Sequence, residues 1–251
     1  MGKTIGVFCS FLLGAIPLPL LAETCLSIDM HYTPRPPYLT QVPQGVAGMT
    51  ADRINAVFRE AGIGLVWINT PFLRQLRLIE EGNGCDCLAG VFRTPARESY
   101  ARYTLPLYQD QPFHALIRAE DERIKPGASV LETFKRADLI LEIKKGYSYG
   151  RWVDAQITAL KPRFDVTTSE SEQMLKKLAA GRVDYILMAP HEAEGLIAAA
   201  GMHPGRFRIV PFADMPPGEN RYIMCSRKVE QSLIQRLDAT IRKKSSSPRP
   251  R

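Results

Sequence analysis

The sequence predicts an α/β protein built as two similar lobes, and three observations carry that expectation. Amphipathic helical stretches alternate with short apolar strands from residue 50 onward, the second half repeats the order of the first, and two extended segments connect the halves. In the first half, Thr50 is placed to cap the helix ADRINAVFREAG, where Ile54, Val57, Phe58 and Ala61 share one face and Gly62 ends it. The strand IGLVWI follows. Thr70 and Pro71 then open a second helix, FLRQLRLIEEG, with Phe72, Leu73, Leu76 and Ile79 directed inward, and the strand CDCLAGV comes next. This βαβαβ order predicts a parallel sheet flanked by helices.

The second half has the same grammar. Ser129 and Glu132 form a capping box for VLETFKRA, and LILEIKK reads as a strand. The turn GYSYG (146–150) leads into a helix carrying Trp152, Val153 and Ile157, which stops before Pro162. FDVTT is a short strand. Ser169 and Glu172 form a second capping box, opening a helix with Met174, Leu175 and Leu178 inward, and VDYILMA runs into a helix after Pro190. The stretches LRLIEEGNGCDCLAG and MLKKLAAGRVDYILMA match element for element: helix, glycine stop, aspartate, apolar strand. Asp86 and Asp184, at those matching strand starts, are read as local hydrogen-bonding groups, and Trp67 and Trp152 as core residues. The segment LPLYQDQPFHALIR crosses between halves and RIVPFADMPPGENRYIMCSR returns, so two crossing strands form a hinge. The expected organisation is a leader over 1–22, a first lobe over 23–108 plus a C-terminal segment, a second lobe over 109–227, a helix over 228–243 and a disordered basic tail over 244–251.

Composition narrows the function. At 251 residues, 45% hydrophobic and 24% charged, the chain is an ordinary globular protein, and its formal charge of +7 suits acidic small molecules or an anionic surface. Basic residues are scattered except in the tail RKKSSSPRPR, so no nucleic-acid partner is expected. At the N-terminus, Lys3 precedes the apolar run IGVFCSFLLGAI, and PLPLLA leads to a cleavage site near Ala22. The run is short for a membrane span and is followed by Pro17 and Pro19, so the reading is an exported, periplasmic protein. With Cys9 lost in the leader, Cys25, Cys85, Cys87 and Cys225 remain in an oxidising compartment. The CDC pair lacks nearby ligands for zinc, and His31, His114, His191 and His203 are widely spaced, so neither metal nor cofactor is expected. His114 and His191 are read as structural. One disulfide, from Cys25 to either Cys85 or Cys87, is expected, with Cys225 a buried strand residue.

The stretch GVFRTPARE concentrates the binding chemistry. Thr94 is a helix N-cap, Pro95 suits the first helical position, and Arg97 falls in the first turn beside unpaired N–H groups. A guanidinium there offers two parallel hydrogen bonds to a carboxylate. Both this turn and GYSYG lie where strands end and helices begin, the edge at which ligands sit between lobes. Phe92, Tyr38, Tyr147 and Tyr149 are candidates for an aromatic lining, and Arg221 for a second anion contact.

The motifs PRPPYLT, GVAGMTADRINAVFREAGI, LRLIEEGNGCDCLAGVFRTPARE, YTLPLY and LAAGRVDYILMAP resemble the bacterial extracellular solute-binding proteins of family 3, over roughly residues 25–242 and as a divergent subgroup. The resemblance implies a periplasmic-binding-protein fold of the type II, flytrap kind, monomeric, which delivers a polar, amino-acid-like solute to an inner-membrane ABC permease. It implies that Tyr38 contacts the ligand from the rim of the first lobe, Phe92 and Thr94 line the cleft, Arg97 pairs with a carboxylate, and Ser148 offers a hydroxyl and amides from the second lobe. One departure stands out. Amino-acid binders of this family usually carry an aspartate after the strand of the second lobe, where this chain has Met188 and Ala189; either Glu192 substitutes or the ligand is no ordinary α-amino acid. Two other functions fit the same scaffold: a ligand-sensing accessory protein for a signalling or redox system, and a dehydratase-like enzyme in which Glu192 would be the general acid.

Overall fold

The computed structural model describes residues 25–246, so the expected leader, with Cys9, and the last five residues of the tail lie outside the described residues. The first lobe opens with β1 (Ser27–Tyr32), the small hairpin β2 (Thr40–Val42) and β3 (Gly45–Ala47), and α1 (Met49–Ala61). It continues through β4 (Gly64–Asn69), α2 (Phe72–Glu81), β5 (Asp86–Val91), the one-turn α3 (Pro95–Glu98), β6 (Ala101–Tyr103) and β7 (Tyr108–Gln109). The second lobe holds β8 (His114–Arg118), α4 (Val130–Phe134), β9 (Leu141–Lys144), α5 (Arg151–Leu160), β10 (Phe164–Thr167), α6 (Ser171–Ala179), β11 (Tyr185–Met188), α7 (Pro190–Ala199) and β12 (Phe207–Val210). The chain then returns through β13 (Asn220–Ser226) and ends in α8 (Gln231–Ser246).

The internal rhyme is exact in topology. The first sheet runs β4-β1-β5-β13-β6 and the second β10-β9-β11-β8-β12. In each, three parallel strands carry the βαβαβ unit, and an antiparallel strand from a crossing segment lies beside the third. Because β13 pairs with β5 and β6, residues 220–226 belong to the first sheet and the second lobe ends before the expected boundary at 227. Likewise α8 extends to Ser246, past the expected end of the last helix at 243. At the hinge the crossing and returning segments lie side by side: the Asp110 N–H donates to the Glu219 carbonyl at 2.9 Å. A methyl on Gly218 would stand 2.2 Å from the Asp110 carbonyl oxygen, so only glycine fits there.

Helix starts follow the sequence with instructive exceptions. Thr50 lies inside α1 rather than capping it; Gly48 is the N-cap, and the Thr50 hydroxyl is buried 2.6 Å from the Tyr108 hydroxyl. A methyl on Gly48, at φ 116°, would collide with the Pro37 carbonyl at 2.4 Å, which fixes glycine at that entry. Ser129 caps α4 as expected, accepting from the Glu132 N–H at 3.2 Å. Ser169 does not cap α6: Glu170 holds that position, and the Ser169 N–H turns back to the Thr167 hydroxyl. In α2 the apolar face is rotated. Leu73 is half-exposed, and Gln75 is buried instead because its amide donates to the Thr70 carbonyl at 2.6 Å.

The matching aspartates behave as local anchors. Asp86 pairs with His31 Nε2 at 2.7 Å, while Asp184 accepts from the Ile140 N–H at 2.8 Å and from Arg118 and Arg123. Trp67 and Trp152 are only partly buried, each packed against the edge of its lobe's core. His191 is exposed near Glu194, and burial lowers the pKa of His114; neither lines the two cavities of the cleft.

All four cysteines of the described chain are paired. Cys25 is bonded to Cys85, one of the two partners expected, and Cys87 to Cys225, which corrects the reading of Cys225 as a lone buried residue. The second pair follows from strand register: Cys87 and Cys225 face each other across the antiparallel β5–β13 ladder, with Cα atoms 4.0 Å apart.

Candidate functional site

β5 runs straight into the binding loop. Its end carries Phe92, Arg93 and Thr94, and the Thr94 hydroxyl accepts from the Arg97 N–H at 3.4 Å, closing α3. This single turn leaves the Arg97 side chain pointing into the gap between the lobes. It is 7% exposed; Nη1 donates to the Phe92 carbonyl at 3.2 Å and Nη2 to the Gly146 carbonyl of the second lobe at 2.8 Å. No described carboxylate lies within ion-pair distance of Arg97, and two of its five N–H groups are used on carbonyls. Among the described residues it is a buried cation with no anion.

Opposite, the turn after β9 carries Tyr147, Ser148 and Tyr149. Asp154, in the first turn of α5, reaches back to accept from the Ser148 hydroxyl at 2.5 Å and from the Tyr149 N–H at 2.8 Å, which holds the turn against the helix. Tyr147 meets Phe72 of the first lobe edge-on, ring centroids 4.3 Å apart. The lobes are therefore closed on each other.

Two further arginines reach the cleft. Arg221 sits over the Phe92 ring, its Cζ 3.7 Å from the centroid, and gives Nε and Nη2 to Asp110 at 2.7 and 2.6 Å, with Nη1 towards the Gly90 carbonyl at 3.3 Å. Its fork is filled by the hinge aspartate, so Arg221 lines the cleft with its charge already paired rather than offering the expected second anion contact. Arg35, just before the Pro36–Pro37 pair, is buried over the Tyr38 ring at 4.7 Å. Its Nε stands 3.6 Å from Glu192 Oε1 of α7, yet Nε and Nη2 have no hydrogen-bond partner. Burial alone would lower the Arg35 pKa, and the Glu192 carboxylate carries it above the ordinary arginine value.

The structure thus gathers Phe92, Arg97, Tyr147, Ser148, Glu192 and Arg221 around the cleft and removes two expected members. Tyr38 is 2% exposed in the first-lobe core, stacked on Tyr108 and donating to Asp110 at 3.2 Å; the Arg35–Leu39 backbone pairing turns its ring inward, off the rim. Thr94 holds the cap of α3 rather than lining the cleft. Ser148 faces the cleft, but its hydroxyl proton goes to Asp154. Tyr149 is buried beneath the turn, its oxygen accepting from the Lys144 N–H at 3.0 Å, and it lines the cavity that Glu192 borders. Glu192 is ion-paired with Arg35, not a free acid. Arg35 itself escaped the reading of the sequence; a lone arginine against PP in PRPPYLT was its only signal.

Two small adjoining cavities, each with about 40 Å³ of room, lie in the closed cleft and share Arg35, Tyr147, Ser148 and Arg221. Arg97 lines the first and Glu192 the second. Among the described residues no group of three or more His, Cys, Asp or Glu side chains gathers as metal ligands would.

Closure on the α7 side depends on one glycine. A methyl on Gly195 would stand 2.6 Å from Pro37 Cδ and 2.9 Å from the Pro36 carbonyl carbon, against rigid diproline backbone. Gly195→Ala is expected to leave the ligand-free fold at least as stable, since alanine favours a helix interior. Overpacking across the closed interface should weaken ligand binding by about 1–3 kcal/mol, roughly 5–150-fold. Calorimetric titration beside the melting curve separates the two effects.

Two α/β lobes joined by paired crossing segments, closed over a cleft with a buried unpaired cation, define a hinged binding protein. Residues 27–243 match the bacterial extracellular solute-binding proteins, family 3, and the chain belongs to that family. Among solved structures, an ancestral arginine-binding protein bound to arginine superposes with a TM-score of 0.70 at 15% identity, over 88% of this chain and 92% of that one. ArgBP from T. maritima in its holo form gives 0.69 at 16% identity, over 88% and 91%. An amino acid ABC transporter substrate-binding protein from Streptococcus pneumoniae, bound to L-arginine, gives 0.68 at 19% identity, over 87% and 88%. No curated protein sequence matches the chain.

Proposed function

We propose that this protein is a periplasmic receptor that captures a small carboxylate-bearing solute between its lobes and presents it to an ABC-type permease. The observation that carries this reading is Arg97: a guanidinium buried in the closed cleft with no described carboxylate beside it, which burial makes costly until an anion arrives. The structural neighbours that bind arginine share the fold at low identity; in this cleft the unpaired charge is positive, which favours the acidic end of a ligand over a cationic side chain. Contacts from both lobes would let the solute stabilise the closed form, and that is the work required of such a receptor. The N-terminal leader read from the sequence supports export.

The test is a thermal-shift and calorimetric screen of amino acids, organic acids and short peptides. A cognate solute at one hundred times its Kd is expected to stabilise the fold by about 2.7 kcal/mol, which for a chain of this size raises Tm by roughly 5–11 °C. Absence of any shift at millimolar concentration across the screen would overturn the proposal.

A further inference from the structure

We propose that the cleft selects a small dicarboxylate lacking an ammonium group, with one carboxylate on Arg97 and the other on the Nε/Nη2 edge of Arg35. This rests on the receptor reading above and names its solute class.

The first observation is the open edge of Arg35. Nε–H and one Nη2–H point the same way from a guanidinium, spaced to receive the two oxygens of one carboxylate. In Arg35 both atoms are buried without a hydrogen-bond partner, although the residue is only 7% exposed and lines the same cavity as Arg97. Buried donors are rarely left unmet in a native fold, and here the residue that carries the unmet pair lines both cavities of the cleft. Glu192 balances the charge of Arg35 from 3.6 Å without closing its fork.

The second observation is a ledger of acids around the cavities. An α-ammonium needs a carboxylate with spare capacity and no cation close by. Asp110 is held by both arms of the Arg221 fork, by the Tyr38 hydroxyl and by the Gln111 N–H. Asp154 is held by Ser148 and the Tyr149 N–H, and Glu170 by Lys144 at 2.5 Å. Glu192 stands against Arg35 itself, so an ammonium brought to it would meet the guanidinium as a like charge. Among the described residues the cleft thus has two sets of donors awaiting oxygens and no acid awaiting a cation.

Titration calorimetry on the mature protein with malonate, succinate and glutarate, against propionate, butyrate, aspartate and glutamate, tests this. One diacid is expected to bind at least tenfold more tightly than the monoacids and at least tenfold more tightly than its amino-substituted analogue, as succinate against aspartate. Arg35→Gln should collapse the diacid-to-monoacid ratio towards one, with the ligand-free melting curve reporting on the fold. Glu192→Gln should strengthen diacid binding severalfold, because it removes the acid competing for Arg35. Aspartate or glutamate binding as tightly as succinate or glutarate would overturn the inference, as would monoacids matching diacids, or loss of diacid binding in folded Glu192→Gln. Those results leave the receptor reading standing. If none of the seven acids binds, this inference fails; the receptor reading falls only if the wider screen is also silent.

Discussion

Arg97→Ala is expected to reduce affinity for a carboxylate solute by roughly 2–5 kcal/mol, on the order of 30-fold to several thousand-fold. Two losses combine. The solute loses its charge-assisted fork, and the closed form loses the hydrogen bond from Nη2 to the Gly146 carbonyl, which ties the first lobe to the second. Arg97→Lys keeps the charge and forfeits the fork, so it should fall between wild type and alanine. Isothermal titration measures both, and circular dichroism confirms that each variant is folded. Unchanged affinity in Arg97→Ala would remove this residue from the site.

The second large effect concerns stability. Replacing Cys87 and Cys225 together with serine is expected to cost about 2–5 kcal/mol, read as a fall in the denaturation midpoint. The pair spans 138 residues, so its removal releases a long loop in the unfolded chain, and two buried apolar positions acquire hydroxyls without planned partners. The Cys25–Cys85 pair spans 60 residues and should cost somewhat less by the same loop argument. Equal midpoints for oxidised wild type and the double serine variant would contradict this account.

Much of the fold was legible because each helix carries its own start and stop. Periodic apolar residues, Gly62, Gly82, Pro71 and the capping pair at Ser129 are local signals, and the parallel order of each half follows from alternation alone. Errors came where a distant contact overruled a local one. Thr50 looked like a cap, but the approach of Pro37 moved the helix start to Gly48. Leu73 looked inward, yet Gln75 found a backbone carbonyl and turned the helix, leaving Leu73 against Gly146 of the other lobe. In the site, GVFRTPAR located Arg97 because strand end, cap and arginine are adjacent in sequence. Arg35 could not be found in the same way, since its burial depends on α7, which the chain supplies only after building most of the second lobe. Tyr38, set at the rim by the resemblance, is turned into the core by the tight Arg35–Leu39 pairing, a local bend that the motif does not reveal. The Cys87–Cys225 bond depends on which strand the returning chain chooses, and spacing does not reveal that.

That bond has an architectural consequence. It joins a first-sheet strand that precedes the outward crossing to the strand that follows the return, so the whole second lobe lies within a covalently closed ring whose two ends are neighbours in the first sheet. The first lobe owns both termini of the described chain and both bridges, while the second has no staple of its own. The second lobe is in effect an insert whose anchor points stay fixed however far it swings or loosens. Evolution can remodel that insert, and with it one jaw of the cleft, without disturbing the frame from which it hangs.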